Sequence, residues 1–382
     1  MTPTRDVREY QVIGVMSGSS LDGLDVIYVH FSLTSEDSWK FNIQHGTCYN
    51  YSPTWMDKLK HATSISALEY QLLNTEYGRY IGEYVLRFIR ENRLEGKVHL
   101  IACHGHTVFH LPSQFTTSTL GDGATVAAVT GLPVVSDLRS MDVALGGQGS
   151  PISLTAERKL FGDEYQFFLN IGGMACLTYA GKNHKDSFAV DVCPANQLLN
   201  LLANREGRAF DRSGEMARSG KVNARLLKDL DDFDYYKKSF PKSLGVDFGP
   251  EILYPLIQAH DLSTADALQT FTEHICNQVA DVIRSLERTV TDGLPQSSRM
   301  LVTGGGARNL FLVDRLTERL KEFRIGVVVP NDELVKFKEA LVTSVMGVLR
   351  LRGEENFIGA VSGASRNSIG GAFWYGREKI QV

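Results

Sequence analysis

Three times in this 382-residue chain an apolar run ends abruptly at a glycine turn, and that repetition constrains the fold more than any other feature. Val12, Ile13, Val15 and Met16 run into Ser17-Gly18-Ser19-Ser20. A second β-favouring run, Val26 to Val29, begins after Leu21-Asp22-Gly23-Leu24-Asp25. Gln166 to Ile171 runs into Gly172-Gly173 and returns as Met174 to Tyr179, while Met300 to Thr303 runs into Gly304-Gly305-Gly306 and then a helix from Arg308. Short apolar runs bounded by Gly and Ser read as buried strands, so two turns join strand to strand and the third joins strand to helix. Glycines let backbone N–H groups approach an anion, and serine hydroxyls add donors. Asp22 or Asp25 could hold a divalent cation or its water shell beside that anion. A helix start behind three glycines suits phosphate or a ribose. Ordinary tight turns of an α/β protein remain an alternative on spacing alone. No GxxxxGK[ST] occurs, and no GxGxxG follows the first strand, so neither a P-loop nor a Rossmann site is supported.

The rest of the chain fits an α/β protein of two domains. A hydrophobic content of 43% at this length permits a large core. Residues 31–64 read as further strands and loops. Ser66-Ala-Leu-Glu69 has the form of a capping box, followed by Leu73, Tyr77, Ile81, Val85 and Phe88 at helical spacing. His99 to Cys103 is a short strand, Ser113 to Thr119 a polar loop, Ala124 to Thr130 a helix and Leu132 to Ser136 a strand. The Gly146 to Pro151 run reads as a loop between domains. In the second half, Lys182 to Asp186 reads as a hairpin loop and Phe188 to Val190 as a strand delivering Asp191. Helices are expected over 196–204, 213–230, from Ser263 onward, 308–323 and 332–352, with a strand at 325–329. Two sheets that each begin strand, glycine turn, strand and end in helices suggest a duplicated α/β architecture, its halves facing across a cleft. Net charge is −4 with both signs interspersed, which gives no pull toward nucleic acid or membrane. No run approaches the ~18 apolar residues of a membrane helix, and the polar MTPTRDVREYQ lacks a signal peptide's apolar core. Five scattered cysteines without CxxC spacing argue against zinc and disulfides. A cytoplasmic protein is expected, and exposed helices are compatible with a homodimer.

Several polar residues stand where chemistry is usually placed. Asp191 follows a strand and precedes a helix, a position that also suits a capping aspartate. Glu339 shares an apolar stripe with Val335, Val342 and Met346, where a carboxylate needs a buried donor or a ligand; a rim salt bridge to Lys336 or Lys338 is the alternative. His104 and His106 flank Gly105 at a strand end without a third metal ligand at a recognised spacing, so His106 and Thr107 read better as substrate hydrogen-bonders. Arg139 and Asp142 could grip an anionic or polyhydroxy ligand, or form a surface ion pair. Asp211 reads as a helix cap.

Together these stretches carry a likeness. Gly14-Val-Met-Ser-Gly-Ser-Ser-Leu-Asp-Gly-Leu-Asp25, His104-Gly-His-Thr107, Gly121-Asp-Gly-Ala124, Ser136-Asp-Leu-Arg139 with Asp142-Val-Ala, Gly146-Gly-Gln-Gly149, Asn170-Ile-Gly-Gly173, Asp191, Phe210-Asp211 and Gly304-Gly-Gly-Ala-Arg-Asn309 resemble anhydro-N-acetylmuramic acid kinases, over residues 12–374. The resemblance implies the duplicated actin-like (ribonuclease H-like) two-domain kinase fold, with domains near 1–136 plus 359–382 and 137–358. It implies ATP with Mg²⁺ and a double reaction: water opens the 1,6-anhydro ring while O6 takes the γ-phosphoryl group, giving N-acetylmuramic acid 6-phosphate in cell-wall recycling. Position by position, it implies Asp191 as the catalytic base. Nucleotide contacts would come from Gly18, Ser19, Ser20, Leu21, Asp22, Gly23, Leu24, Asp25, Gly172, Gly173, Gly304, Gly305, Gly306 and Asn309. The sugar would meet His104, His106, Thr107, Asp122, Arg139, Gln148 and Glu339. The chain departs from the family where HGQT becomes His104-Gly-His106-Thr107 and DTGPGN becomes Asp191-Val192-Cys193-Pro194-Ala195-Asn196, changes that bear on sugar preference. A kinase for another anhydrosugar such as levoglucosan, or a non-catalytic nucleotide-binding regulator, are the alternatives.

Overall fold

The computed structural model describes residues 8–18, 21–34, 38–150, 152–181, 186–238, 242, 244–245, 247–290 and 293–377. The expected hairpin loop at 182–186 therefore lies almost wholly outside the described residues. The first glycine turn joins β1 (Arg8–Ser17) to β2 (Gly23–Leu33), and β3 (Trp39–Asn50) completes an antiparallel meander. A helix, α1 (Pro53–Lys60), follows where only strands and loops were expected. Ser52 caps it, and Pro53 sits in the first turn, where a missing N–H costs nothing. The capping box at Ser66 starts α2 (Ala67–Asn92): Glu69 N donates to Ser66 Oγ at 3.3 Å and Ser66 N to Glu69 Oε2 at 2.8 Å. Then come β4 (Leu100–Cys103), the hairpin β5 (His106–Leu111) and β6 (Thr116–Leu120), α3 (Gly123–Thr130), β7 (Val134–Ser136), α4 (Ser140–Ala144) and α5 (Ser153–Phe161). Strand β6 replaces the polar loop expected at 113–119, because its threonines favour extended backbone even without an apolar face.

The second sheet opens with β8 (Phe167–Ile171), β9 (Met174–Tyr179) and β10 (Phe188–Pro194), then α6 (Asn196–Ala203). The helix expected over 213–230 is divided into α7 (Glu215–Ser219) and α8 (Ala224–Asp231), with Asn223 capping the second. Ser213 and Gly214, at φ 54° and 71°, keep the backbone out of the right-handed helix before α7. Next are α9 (Asp234–Lys237), α10 (Tyr254–Ala259), the long α11 (Thr264–Thr289) capped by Ser263, β11 (Ser298–Thr303), α12 (Leu310–Leu320) and β12 (Ile325–Val328). The chain closes with α13 (Asp332–Arg352), α14 (Gly359–Ser362) and β13 (Ala372–Trp374).

The strand orders are β13-β7-β4-β1-β2-β3 and β10-β9-β8-β11-β12. With β13 set aside, each sheet reads third, second, first, fourth, fifth. In each, the first three strands are antiparallel and the last two run parallel to the first. This is the duplicated actin-like α/β topology that the sequence led us to expect.

The chain divides into one compact unit of residues 1–161 with 337–382 and another of 162–336. These limits differ from the expected 136/137 and 358/359, for identifiable reasons. The Phe161 ring packs edge-on against Phe41 at 5.5 Å between centroids. Lys338 Nζ donates to Glu157 Oε1 at 2.7 Å, both side chains being buried. Helix α13 also lies hard against β1: a Cβ on Gly14 would meet Ser344 Oγ at 2.1 Å and the Ala340 carbonyl at 2.3 Å. Residues 146–149, expected between domains, thus belong to the first unit. Each unit has its own apolar cluster, one including Ile13, Val26, Tyr77 and Ile101, the other Phe167, Leu177, Phe271 and Val302.

Candidate active site

In the first unit, the turn between β1 and β2 is closed by Leu21 N donating to the Gly18 carbonyl at 3.4 Å, with Leu21 at φ 56°. Ser19 and Ser20 lie outside the described residues. Asp22 is exposed, and its carbonyl accepts from Tyr51 N at 3.3 Å. Gly23, Leu24 and Asp25 are not turn residues as expected but the first residues of β2, opposite Asn50, Tyr49 and Cys48 in β3. A Cβ on Gly23 would meet Cys48 Sγ at 2.7 Å, so that glycine serves sheet packing. Leu24 is fully buried in the core, which withdraws its side chain from any nucleotide. No group of three His, Cys, Asp or Glu able to hold a metal exists among the described residues. Asp22 in the turn and Asp25 at the start of β2 are oxygen donors of the kind Mg²⁺ takes, a hard cation that keeps much of its water and takes remaining oxygens from phosphates.

Past β4, the chain delivers His104, His106 and Thr107. His106 is buried, and its Nδ1 lies 3.2 Å from Ser17 Oγ. Ser17 Oγ itself accepts from Tyr51 OH at 2.8 Å, so the His106 ring is anchored through Ser17 to the Tyr51 hydroxyl. Burial lowers the pKa of His106 to about 4 and keeps the ring neutral. Burial does the same for His104, to about 4, with the positive charge of Arg139 adding to the effect. Arg139 is a hub: Nε donates to the Gly149 carbonyl at 2.7 Å, Nη1 to Thr107 Oγ1 at 3.3 Å and Nη2 to His110 Nε2 at 2.9 Å. His110, also lowered to about 4 by burial and by Arg139, was not singled out from the sequence. Its period-two position after His106 and Val108 on β5 was the available signal.

Other expectations change. Asp142 does not reach for a ligand: it is fully buried, and its carboxylate accepts from Ser362 Oγ at 2.6 Å and Gly149 N at 2.8 Å, which fixes the loop carrying Gln148. The backbone N–H of Gln148 donates to the Ser362 carbonyl at 2.7 Å. Asp122 caps α3, its Oδ2 accepting from Thr125 N at 2.9 Å. Glu339 is exposed, and the buried charge on that helix is its neighbour Lys338.

In the second unit, the β8–β9 turn and the glycine triplet come together. Gly304, at φ 81°, and Gly306 approach the end of β8 so closely that Cβ atoms there would lie 2.7 Å from Asn170 Oδ1 and 2.2 Å from Ile171 Cγ2. The triplet does not open an α-helix directly. Gly305–Arg308 form a 3₁₀ turn, and Asn309, buried, caps α12 by accepting from Leu312 N at 3.0 Å. The carbonyls of Gly172 and Gly173 are likewise spent on the start of α6, accepting from Asn196 N at 3.0 Å and from Ala195 N at 2.8 Å. Asp211 is the cap it resembled, accepting from Met216 N and Ala217 N at 2.9 Å each.

Asp191 sits within β10, not after it, at a bulge that shifts the pairing with β9 between Asp191 and Cys193. Cys176 Sγ donates to Asp191 Oδ1 at 3.0 Å, and Leu244 N to Oδ2 at 3.2 Å. The Tyr235 hydroxyl donates to the Asp191 carbonyl. The sequence held no sign of these three partners, since they come from segments distant in the chain.

Twin sheets of this order, each bearing a glycine turn between its first two strands, define the duplicated actin-like fold class. Within that class, a sequence model of anhydro-N-acetylmuramic acid kinase matches residues 10–376. The anhydro-N-acetylmuramic acid kinase of Pasteurella multocida (strain Pm70) is 30% identical over 378 residues, covering 96% of this chain and 97% of that protein. Those of Shewanella oneidensis and Coxiella burnetii (strain Dugway 5J108-111) are 29% and 30% identical, covering 94% and 96% of this chain and 98% of each relative. A solved hexokinase from Schistosoma mansoni, complexed with glucose, aligns at 11% identity and a TM-score of 0.43, over 88% of this chain and 85% of that one. The chain belongs to the anhydro-N-acetylmuramic acid kinase family.

Proposed function

We propose that the protein uses ATP to open 1,6-anhydro-N-acetylmuramic acid and phosphorylate it at O6, yielding N-acetylmuramic acid 6-phosphate for cell-wall recycling. Besides the family match, the observation that carries this reading is Asp191: a half-buried carboxylate held at both oxygens. Neutral water is a poor nucleophile, and a fixed carboxylate corrects that by taking a proton as water attacks. The water oxygen bonds to C1, the C1–O6 bond breaks, and O6 bonds to the γ-phosphorus as ADP leaves. The proton passes to Asp191. His106, its Nδ1 side anchored by Ser17, offers the sugar its Nε2 side, and Arg139 donating to Thr107 fixes the strand that presents it. The turns at Gly18, at Gly172-Gly173 and at Gly304 to Gly306 would take the nucleotide. Mg²⁺ would be held by Asp22 or Asp25, directly or through water, and would offset phosphate charge. The reaction is placed in the cytoplasm, where five free cysteines suit a reducing compartment.

Asp191→Asn tests the reading, because it keeps shape and polarity but removes the base. Turnover should fall by ~10²–10⁴-fold while ATP and sugar still bind. Product made in ¹⁸O-water by the unaltered enzyme should carry label at C1 and none in the phosphate. Near-normal turnover by the variant, or an unlabelled C1 after correction for anomeric exchange, would overturn the mechanism.

A further inference from the structure

Cys176 stands directly opposite two residues at once, Asn170 in β8 and Asp191 in β10. Side chains paired across antiparallel strands share a face, so Asn170, Cys176 and Asp191 form one row across the sheet. One end of that row lies at the glycine triplet, since Asn170 Oδ1 is the atom a Cβ on Gly304 would strike. The other end is the carboxylate assigned above as the base.

We propose that Cys176 is a positioning residue, whose thiol holds Asp191 in the orientation needed to take a proton from water. The proposal rests on Asp191 being the base. A carboxylate turns easily about its last torsion, because that torsion has broad wells. Two donors approaching opposite oxygens stop the rotation, and here they are Cys176 Sγ at 3.0 Å and Leu244 N at 3.2 Å. The backbone of Asp191 is held as well, by the Tyr235 hydroxyl on its carbonyl. Tyr235 is braced in turn by Lys242, whose Nζ donates to the carbonyls of Tyr235 and Tyr236 at 3.1 Å each. Among these donors the thiol is the weak one. A hydroxyl or amide would bind Oδ1 more strongly and draw more charge from it, whereas a thiol fixes the direction and leaves the oxygen basic. The same contact makes the thiol a reporter: a carboxylate 3.0 Å from sulfur opposes formation of the thiolate that reacts with electrophiles.

The experiment compares Cys176→Ala with Cys176→Ser in steady-state kinetics and follows maleimide labelling of Cys176 by peptide mass. Cys176→Ala should lower kcat by about 10-fold or more and leave both KM values within about twofold, since misorientation of the base affects chemistry and not binding. Cys176→Ser should regain part of that loss, its shorter hydroxyl still reaching toward Oδ1. In the otherwise unaltered protein, Asp191→Asn should speed labelling of Cys176 by about 10-fold, as the opposing charge is gone. An Ala variant with unchanged kcat overturns the proposal, as does an Ala loss that Ser does not reduce, because either outcome makes Cys176 mere packing. An unchanged labelling rate in Asp191→Asn overturns it too, and that arm needs no Cys176 variant to fold. If Asp191→Asn turns over normally, the base assignment itself has failed, whatever the labelling shows.

Discussion

A buried histidine pays for any proton it gains, and His104 and His106 both titrate near 4 because burial disfavours their charged form. In the unfolded chain they would titrate near ~6.5. Between those values unfolding takes up protons, so stability is full above about pH 6.5 and falls as pH drops toward 4, by on the order of 2 kcal/mol per group at pH 4.5. His106→Gln should remove one such contribution, narrowing the gap between urea midpoints at pH 7 and 4.5. It should also alter the sugar KM more than the ATP KM, because the amide of Gln sits on a longer, more flexible stem than the ring held by Ser17. An unchanged pH gap, or an effect confined to ATP, would place His106 in another role. At this scale the sequence was legible for Asp211 and Ser66, whose local partners lie within a few residues. For Glu339 the sequence left a buried carboxylate and a rim position open, and its side chain is exposed while that of Lys338 is buried. Lys338 and Glu339 both fit helical spacing from Val335 and Val342, and only the presence of Glu157 across the fold decides that Lys338 goes inside. Leu24 was misread for a similar reason, since strand β2 begins at Gly23, nearer the turn than a glycine suggests.

Among the elements, the β1–β2 turn should carry nucleotide affinity and little stability. Gly18 is a half-buried turn residue outside both strands, its carbonyl accepting from Leu21 N three residues on. Gly18→Val places a branched side chain where phosphates would meet backbone N–H groups. ATP affinity by calorimetry should drop about 10-fold or more, with the thermal midpoint within about 2 °C of the parent. ATP binding at parental strength would remove the turn from the nucleotide site. Elements with strong local signals were legible: the strands before the three glycine turns, α2 with its capping box, α11 and α13. Those with weak signals were not. The threonine-rich β6 has no apolar face to betray a strand, and α1 was masked by the polar and aromatic mixture around it. The break between α7 and α8 comes from Gly220, whose extended backbone ends the first, and from Asn223, which caps the second, and a helical spacing pattern does not reveal either.

For the molecule as a whole, two apolar clusters without a common residue predict two unfolding events. The chain passes between the units at 161/162 and 336/337, the second passage lying inside α13. Gly14→Ala is a selective probe, because its new Cβ would press on Ser344 and Ala340 and so lever α13 from β1 within the first unit. Overpacking of this kind typically costs about 1–3 kcal/mol. Hydrogen exchange followed at rising urea should show peptides from β1, β2 and β4 opening at lower denaturant in the variant. Peptides from β8, β9 and β11 should keep their parental midpoints. Gly306→Ala, whose Cβ would strike Ile171, should produce the reverse pattern. If either variant shifts both sets of peptides equally, the units unfold as one cooperative body, and the duplicated sheets are not separate stability units.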